Sequence, residues 1–314
     1  MKHIHDIPGY DTFAKIEPIT KGWPGDKKYC IETTANRRMM LRVSDISGLA
    51  GKQAEYELME RIYGLGVPVP QPLGFGMCDG GKSMYALSEW VDGQDADTLL
   101  PHLSPAAQYA LGIKTGAVLQ KIHALPAPES SEPWHMRFHR KVQYWVDEYR
   151  ANPQVHSELG EMIIGYLASH SDVLDSCIQT FIHGDYNIEN IIVTSNGEIR
   201  VIDFSGYNTS YGDPWWDMHN MAWMPTMYPH FYSGQIKGAF NGAPPKHFWQ
   251  VLTYYFAYDA LAALTDPYGL NGIEDGTDIV NNILQWTNHF KGTVPTWYVQ
   301  DMPSQTQPKG EPVK

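Results

Sequence analysis

The chain has 314 residues, room for one large or two moderate domains, and an apolar fraction of 43% that is ordinary for a globular protein. Its formal charge of −12 disfavours nucleic acid as the main partner, since phosphate backbones are held by Lys and Arg, and suits a cationic small substrate drawn to an acidic cleft. No apolar run reaches the roughly 18 residues of a membrane span, and the opening MKHIHDIPGYDTF has no signal-peptide stretch, so a cytoplasmic location is expected.

Cys30, Cys78 and Cys177 lie far apart and form no C-x-x-C, so neither a disulfide framework nor a zinc site is indicated. The histidines make no H-E-x-x-H, and no G-x-S-x-G elbow occurs. From Phe13 to Val43 the pattern is strand-like: FAKIEPIT, the turn-rich KGWPGDKK, YCIETT and RRMMLRVS. The first hairpin, with Gly22 and Gly25 in its turn, is placed to lay backbone N–H groups over phosphates, although it is not G-x-G-x-x-G. Arg42, on an inner strand position, is the cation suited to neutralising nucleotide phosphates, with a solvated strand arginine as the plainer reading.

A helix follows over SGLAGKQAEYELMERIYGLG, with Leu58, Ile62 and Leu65 spaced as a buried stripe and Gly64, Gly66 and Pro68 closing it. Glu55 lies on or beside that stripe and is the carboxylate expected to pair with Arg42, while Glu57 points elsewhere. PLGFGMCDGGKSMYALSEWV reads as two more β segments around Asp79-Gly80-Gly81. Residues 88 to 92 then connect to a helical remainder, and backbone groups from Glu89 to Val91 are the expected adenine contacts. Leu111, Thr115, Val118, Leu119 and Ile122 share one face of the next helix, which stops at Pro126.

Residues 181 to 204, FIHGDYNIENIIVTSNGEIRVIDF, organise the rest. Asp185 and Asn190 are spaced D-x-x-x-x-N, and two β runs flank Asn196-Gly197, a two-residue hairpin signal, before Asp203-Phe204. One loop and one hairpin thus deliver three oxygen-bearing side chains. Phosphoryl transfer needs positioning and charge neutralisation more than covalent chemistry. Asp185 suits the role of base toward an attacking hydroxyl, and Asn190 with Asp203 offers hard oxygen ligands to Mg2+. Taken singly, each of these residues reads more simply as a turn former or cap.

H-G-D-Y-N-I-E-N-I-I, V-I-D-F and G-D-P-W-W-D together resemble the aminoglycoside phosphotransferase and choline kinase family of small-molecule kinases, over about residues 13 to 298. The resemblance implies an α+β, bilobal protein-kinase-like fold: a small β-rich N-terminal lobe over 1–90, a larger α-helical lobe over 91–300 and a flexible tail over 301–314. It implies Asp185 as catalytic base, His183 orienting the catalytic loop, Asn190 and Asp203 as magnesium ligands, and Asp217 bracing the loop. The implied cofactors are ATP or GTP with Mg2+. Arg42 stands where many members carry lysine, and Asp203-Phe204-Ser205 lacks the glycine of D-F-G. Neither change removes a magnesium ligand, so an active enzyme is expected; the missing A-P-E disfavours a protein substrate.

The expected acceptor is a hydroxyl of a small molecule, foremost an aminoglycoside or similar amino sugar, acted on by a monomer or weak dimer. Asp259, Glu274 and Asp275, with Asp266 and Asp278, are the carboxylates available to such a cation. Trp215, Trp216, Trp223, Tyr254, Tyr255 and Tyr258 form either an aromatic wall or core. The alternatives are a housekeeping metabolite kinase, for a sugar, choline or another amine, homoserine or fructosamine, and a nucleotide-binding pseudokinase. The last is disfavoured because Asp185, Asn190 and Asp203 are all present.

Overall fold

Alternation of apolar and polar residues builds the first sheet. In a computed structural model, which describes residues 4–20, 25–204, 210–222, 227–266, 276–292 and 294–300, strands β1 (Phe13–Ile19), β2 (Lys27–Thr33), β3 (Arg38–Asp45), β4 (Pro72–Cys78) and β5 (Ser83–Glu89) form an antiparallel sheet ordered β1-β2-β3-β5-β4. On β3, Met39, Leu41 and Val43 point into a core shared with Tyr29, Ile31, Tyr85 and Leu87, so Met40, Arg42 and Ser44 share the opposite face. The start of the chain completes this core: Ile4 and Ile7 are buried in it. Between them, Asp6 accepts the N–H groups of Asp79 and Gly80, both at 2.9 Å, which fixes the turn where Asp79 and Gly80 take φ 55° and 63°.

Helix α1 spans Leu49–Gly64. Its apolar stripe is shorter than its spacing suggests: Ile62 is buried but Leu65 is 57% exposed. The helix ends at Gly64 and the chain turns at Gly66, whose φ is 76°, so Leu65 stays on the surface and Val67 and Val69 take the buried positions beyond it. Short strands β6 (Gln94–Asp95), β8 (Ile191–Val193) and β9 (Ile199–Val201) make a second sheet, and β7 (Thr180–Ile182) pairs with β10 (Ser210–Gly212). The β8–β9 hairpin forms as expected but its loop differs. Thr194 N–H bonds to Glu198 O at 3.0 Å and Gly197 N–H to Thr194 O at 2.8 Å, so the loop holds residues 195–197, with Gly197 left-handed at φ 76°. Asn-Gly here closes a three-residue turn because only its glycine takes positive φ.

The remaining helices are α2 (Ala96–Leu99), α3 (Pro105–His123), α4 (Trp134–Ala151), α5 (Glu158–Ser169), α6 (Pro229–Phe240), α7 (Lys246–Thr265) and α8 (Gly276–Trp286). Two compact units result: Met1–Pro101 with Val118–Pro133 and Ile178–Asp217, and His102–Ala117 with Trp134–Cys177 and Met218–Lys314. The first holds the strands. In the second, α4, α5 and α8 pack around α7, whose residues are buried on nearly every face. Trp216, Tyr254 and Tyr255 are buried, and Trp134 Nε1–H donates to Tyr255 Oη at 2.9 Å, so these aromatics are core. Trp223 and the tail over 301–314 lie outside the described residues. No helix among the described residues is long and apolar enough to cross a membrane.

Candidate active site

The site is built from the end of β7 and the end of β9, both within the first unit. After the buried pair Phe181 and Ile182, the chain turns at Gly184, whose φ of 80° a side chain would oppose. His183 locks this turn to the strand opposite. Its Nε2–H donates to Ile202 O at 3.0 Å, and its Nδ1 accepts the Asp185 N–H at 3.2 Å. Those two partners require the neutral Nε2–H tautomer. Ile202 is held a second time, since its own N–H reaches Asn190 O at 3.0 Å. The residue before Asp203 is therefore clamped from both ends of the loop over 183–190.

Within the loop, Asn187 caps the short turn Ile188–Asn190 by accepting the N–H groups of Glu189 at 2.9 Å and Asn190 at 3.2 Å. Its amide donates to Asp185 Oδ1 at 2.9 Å. Asn190 Nδ2 donates to Asp185 O at 2.9 Å and to Asp185 Oδ2 at 3.1 Å. With both amide hydrogens directed at Asp185, the Asn190 Oδ1 is the atom left to meet a cation. Asp203 sits at φ 64°, an uncommon backbone region for a residue with a side chain. Its Oδ1 accepts from Arg42 Nη2 at 3.3 Å, in a pair about one-third exposed on both sides. Asp185, Asn190, Asp203 and Arg42 are thus brought to one place.

Beneath them, Asp217 is fully buried. It accepts the N–H of His183 at 3.0 Å, the N–H of Gly184 at 2.6 Å and His123 Nε2–H at 2.8 Å. Burial pushes its carboxyl up, but the His123 contact and the Gly184 N–H outweigh that and hold it below the usual carboxylate range. This is the brace implied by the resemblance, with His123 as an added partner.

Other expected residues fall differently. Glu55 bonds to Lys52 Nζ at 3.0 Å and Glu57 to Gln53 at 2.8 Å; the expected Arg42–Glu55 pair is not among these contacts. Lys52, one helical turn before Glu55, is the nearer match for it, and Arg42 has Asp203. Glu89 and Trp90 direct their N–H groups to Gln71 O at 2.8 Å and Arg38 O at 3.4 Å, and the Glu89 carboxylate accepts the Gln71 N–H at 3.2 Å. Gly25 lies at the entry to β2, two residues before Lys27, while Gly22, Glu274 and Asp275 lie outside the described residues.

Asp259 corrects an expectation. It is 3% exposed and accepts from His219 Nδ1 at 3.2 Å, because α7 is enclosed on the side it faces. Its carboxyl is pushed up by burial, with His219 opposing. Three residues of the first unit join the site as further partners: Asn187, His123 and Lys52. Asn187 left a sequence signal as an Asn placed to cap the turn that ends in Asn190, and Lys52 as a cation one helical turn before Glu55; His123 left none.

Asp185, Asn190 and Asp203 on one loop and one strand end, with Arg42 on the central strand of an antiparallel sheet, make the arrangement expected of a phosphotransferase. The chain belongs to the phosphotransferase enzyme family, whose model matches residues 15–248, and is a small-molecule kinase. The family resemblance of the motifs and the α+β fold are both borne out. Among solved structures, the chain is similar to a choline/ethanolamine kinase family protein from Mesorhizobium loti, at TM-score 0.61 and 13% identity over 92% of this chain and 95% of that one. A streptomycin–ATP–APH(2")-IIa ternary complex matches at TM-score 0.58 and 14% identity, over 87% and 92% of the two chains. Choline kinase LicA from Streptococcus pneumoniae matches at TM-score 0.56 and 16% identity, over 92% and 95%. No curated protein matches the sequence.

Proposed function

We propose that the protein is an ATP-dependent O-phosphotransferase acting on a hydroxyl of a small molecule, foremost an aminoglycoside or similar amino sugar. The observation that carries this is the double clamp on Ile202, through His183 and Asn190, which sets Asp203 beside the loop bearing Asp185. In this reading Asp185, steadied by the amides of Asn187 and Asn190, accepts the proton of the acceptor hydroxyl as its oxygen attacks the terminal phosphorus of ATP. Asn190 Oδ1 and the Asp203 carboxylate suit Mg2+, a hard ion that takes one or two protein oxygens and otherwise keeps water and phosphate. When bound, the ion neutralises phosphate charge. Arg42 adds a cation to the same phosphates.

The β-rich region over 1–90 is the nucleotide lobe and the helical region over 91–300 the acceptor lobe. With the Glu89 and Trp90 N–H groups engaged by the sheet, adenine recognition falls chiefly to the backbone of Val91. ATP is favoured over GTP by the ATP complex among the similar structures, and an amino-sugar acceptor by the net charge of −12.

A metabolite kinase is the second reading. It is favoured by the burial of Asp259, which removes one carboxylate offered to a polycation, and by choline kinases among the similar structures. Nucleotide consumption across an aminoglycoside panel and a panel of hydroxylated metabolites, with mass detection of the phosphorylated product, decides between them. Turnover confined to aminoglycosides, with resistance conferred on a sensitive host, is expected. Turnover confined to metabolites would assign the second reading.

A further inference from the structure

Lys27 pairs with Val43 and Lys28 with Arg42 on the β2–β3 ladder. One step further along that ladder Asp26 comes opposite Ser44, and Ser44 Oγ–H donates to Asp26 Oδ1 at 2.6 Å. Ser44 lies two residues from Arg42, hence on the same strand face. The other oxygen of Asp26 meets Lys52 Nζ of α1 at 3.2 Å, and Lys52 also reaches Glu55 Oε2 at 3.0 Å. A lysine therefore stands between the carboxylate of α1 and the sheet, and the carboxylate that shares the Arg42 face comes from the start of β2. Burial pushes the Asp26 carboxyl up, while Ser44, Lys52 and the charge of Arg42 outweigh it and hold it low.

We propose that Asp26, rather than a carboxylate of α1, is the positioning residue for Arg42 at the nucleotide phosphates, with Lys52 tying it to Glu55. This rests on the reading of the chain as a kinase in which Arg42 is the phosphate-binding cation. An arginine held by Asp203 alone at 3.3 Å loses its anchor when Asp203 turns to a metal. Asp26 makes no ion pair with Arg42 in this structure, but Ser44 and Lys52 fix it independently on the same strand face, so it offers the guanidinium a second carboxylate during that exchange. Without it, Arg42 pairs more firmly with Asp203 and competes with magnesium for that carboxylate.

Calorimetric binding of ATP to the intact protein, over a range of Mg2+ concentrations, tests this without an acceptor. Asp26→Asn is expected to weaken ATP binding about tenfold and to raise the Mg2+ concentration needed for it. Asp26→Glu recovers part of the loss, and Glu55→Gln weakens binding less than Asp26→Asn does. In an Arg42→Ala background Asp26→Asn adds nothing further, which a merely structural role would not produce. Should Asp26→Asn fail to fold, Ser44→Ala, which removes only the hydroxyl holding Asp26, shifts binding in the same direction by a smaller factor. Wild-type affinity in Asp26→Asn, or an equal loss with and without Arg42, overturns the assignment of Asp26. Absence of ATP binding by the wild type would instead overturn the kinase reading beneath it.

Discussion

Asp217 touches no reacting atom, yet three donors converge on it in a fully buried place. A carboxylate whose folded-state pKa lies below its unfolded value stabilises the fold above the ordinary carboxylate range and loses that contribution as pH falls through the folded pKa. Acid titration of stability should therefore show a component, present at neutral pH and lost on acidification below about pH 4, that is absent from Asp217→Asn. That variant should also be less stable at neutral pH by about 3 kcal/mol, since it leaves donors of a buried charge poorly matched; denaturant unfolding measures this. Asn187 acts at shorter range, with its carbonyl capping the loop and its amide steadying Asp185 Oδ1. Asn187→Ala should lower kcat about tenfold or more, as misorientation of a general base does, with ATP affinity little changed in the same steady-state assay.

Between elements, α3 and α6 approach until only glycine fits. A Cβ on Gly116 would lie 2.0 Å from Gln235 O, and one on Gly234 would lie 2.1 Å from Tyr109 O. These are backbone atoms that no rotamer change can move aside. Gly116→Ala should cost at least about 2–3 kcal/mol by overpacking, whereas Gly165→Ala, with nothing within 4 Å of its Cβ, should be neutral or slightly stabilising; thermal melts of the two variants make the comparison. The stripe on α3 was legible from spacing because Leu111, Thr115, Val118, Leu119 and Ile122 recur at helical intervals and are all buried. The glycine contact was not legible, since a helix sequence does not say which neighbour its small residues meet. Ile4 and Ile7 escaped notice for a related reason: two apolar residues in an irregular stretch carry no period, and they become core only because Asp6 pins the stretch to the Asp79 turn. Ile4→Ala should accordingly cost about 3 kcal/mol.

Across the molecule, what could be read in advance was local. The five strands of the first sheet, the β8–β9 hairpin and the D-x-x-x-x-N loop are written in short-range spacing, whereas the pairing of β3 with β5 is not; Asp185 meets Asn190 and Asp203 meets Arg42. What needed three dimensions were the distant partners of charges: Asp26 goes to Lys52, and Asp259 disappears into the surroundings of α7 with His219. A charged residue on a helix has several oppositely charged candidates within reach of its spacing, and tertiary packing alone chooses among them. The central claim is that Asp185 serves phosphoryl transfer to a small hydroxyl compound. The direct measurement compares wild type with Asp185→Asn for ADP release on whichever panel compound is turned over, alongside calorimetric ATP binding. The account predicts turnover lowered by about 10²–10⁴ with ATP affinity kept within a few-fold; full activity in Asp185→Asn would contradict it.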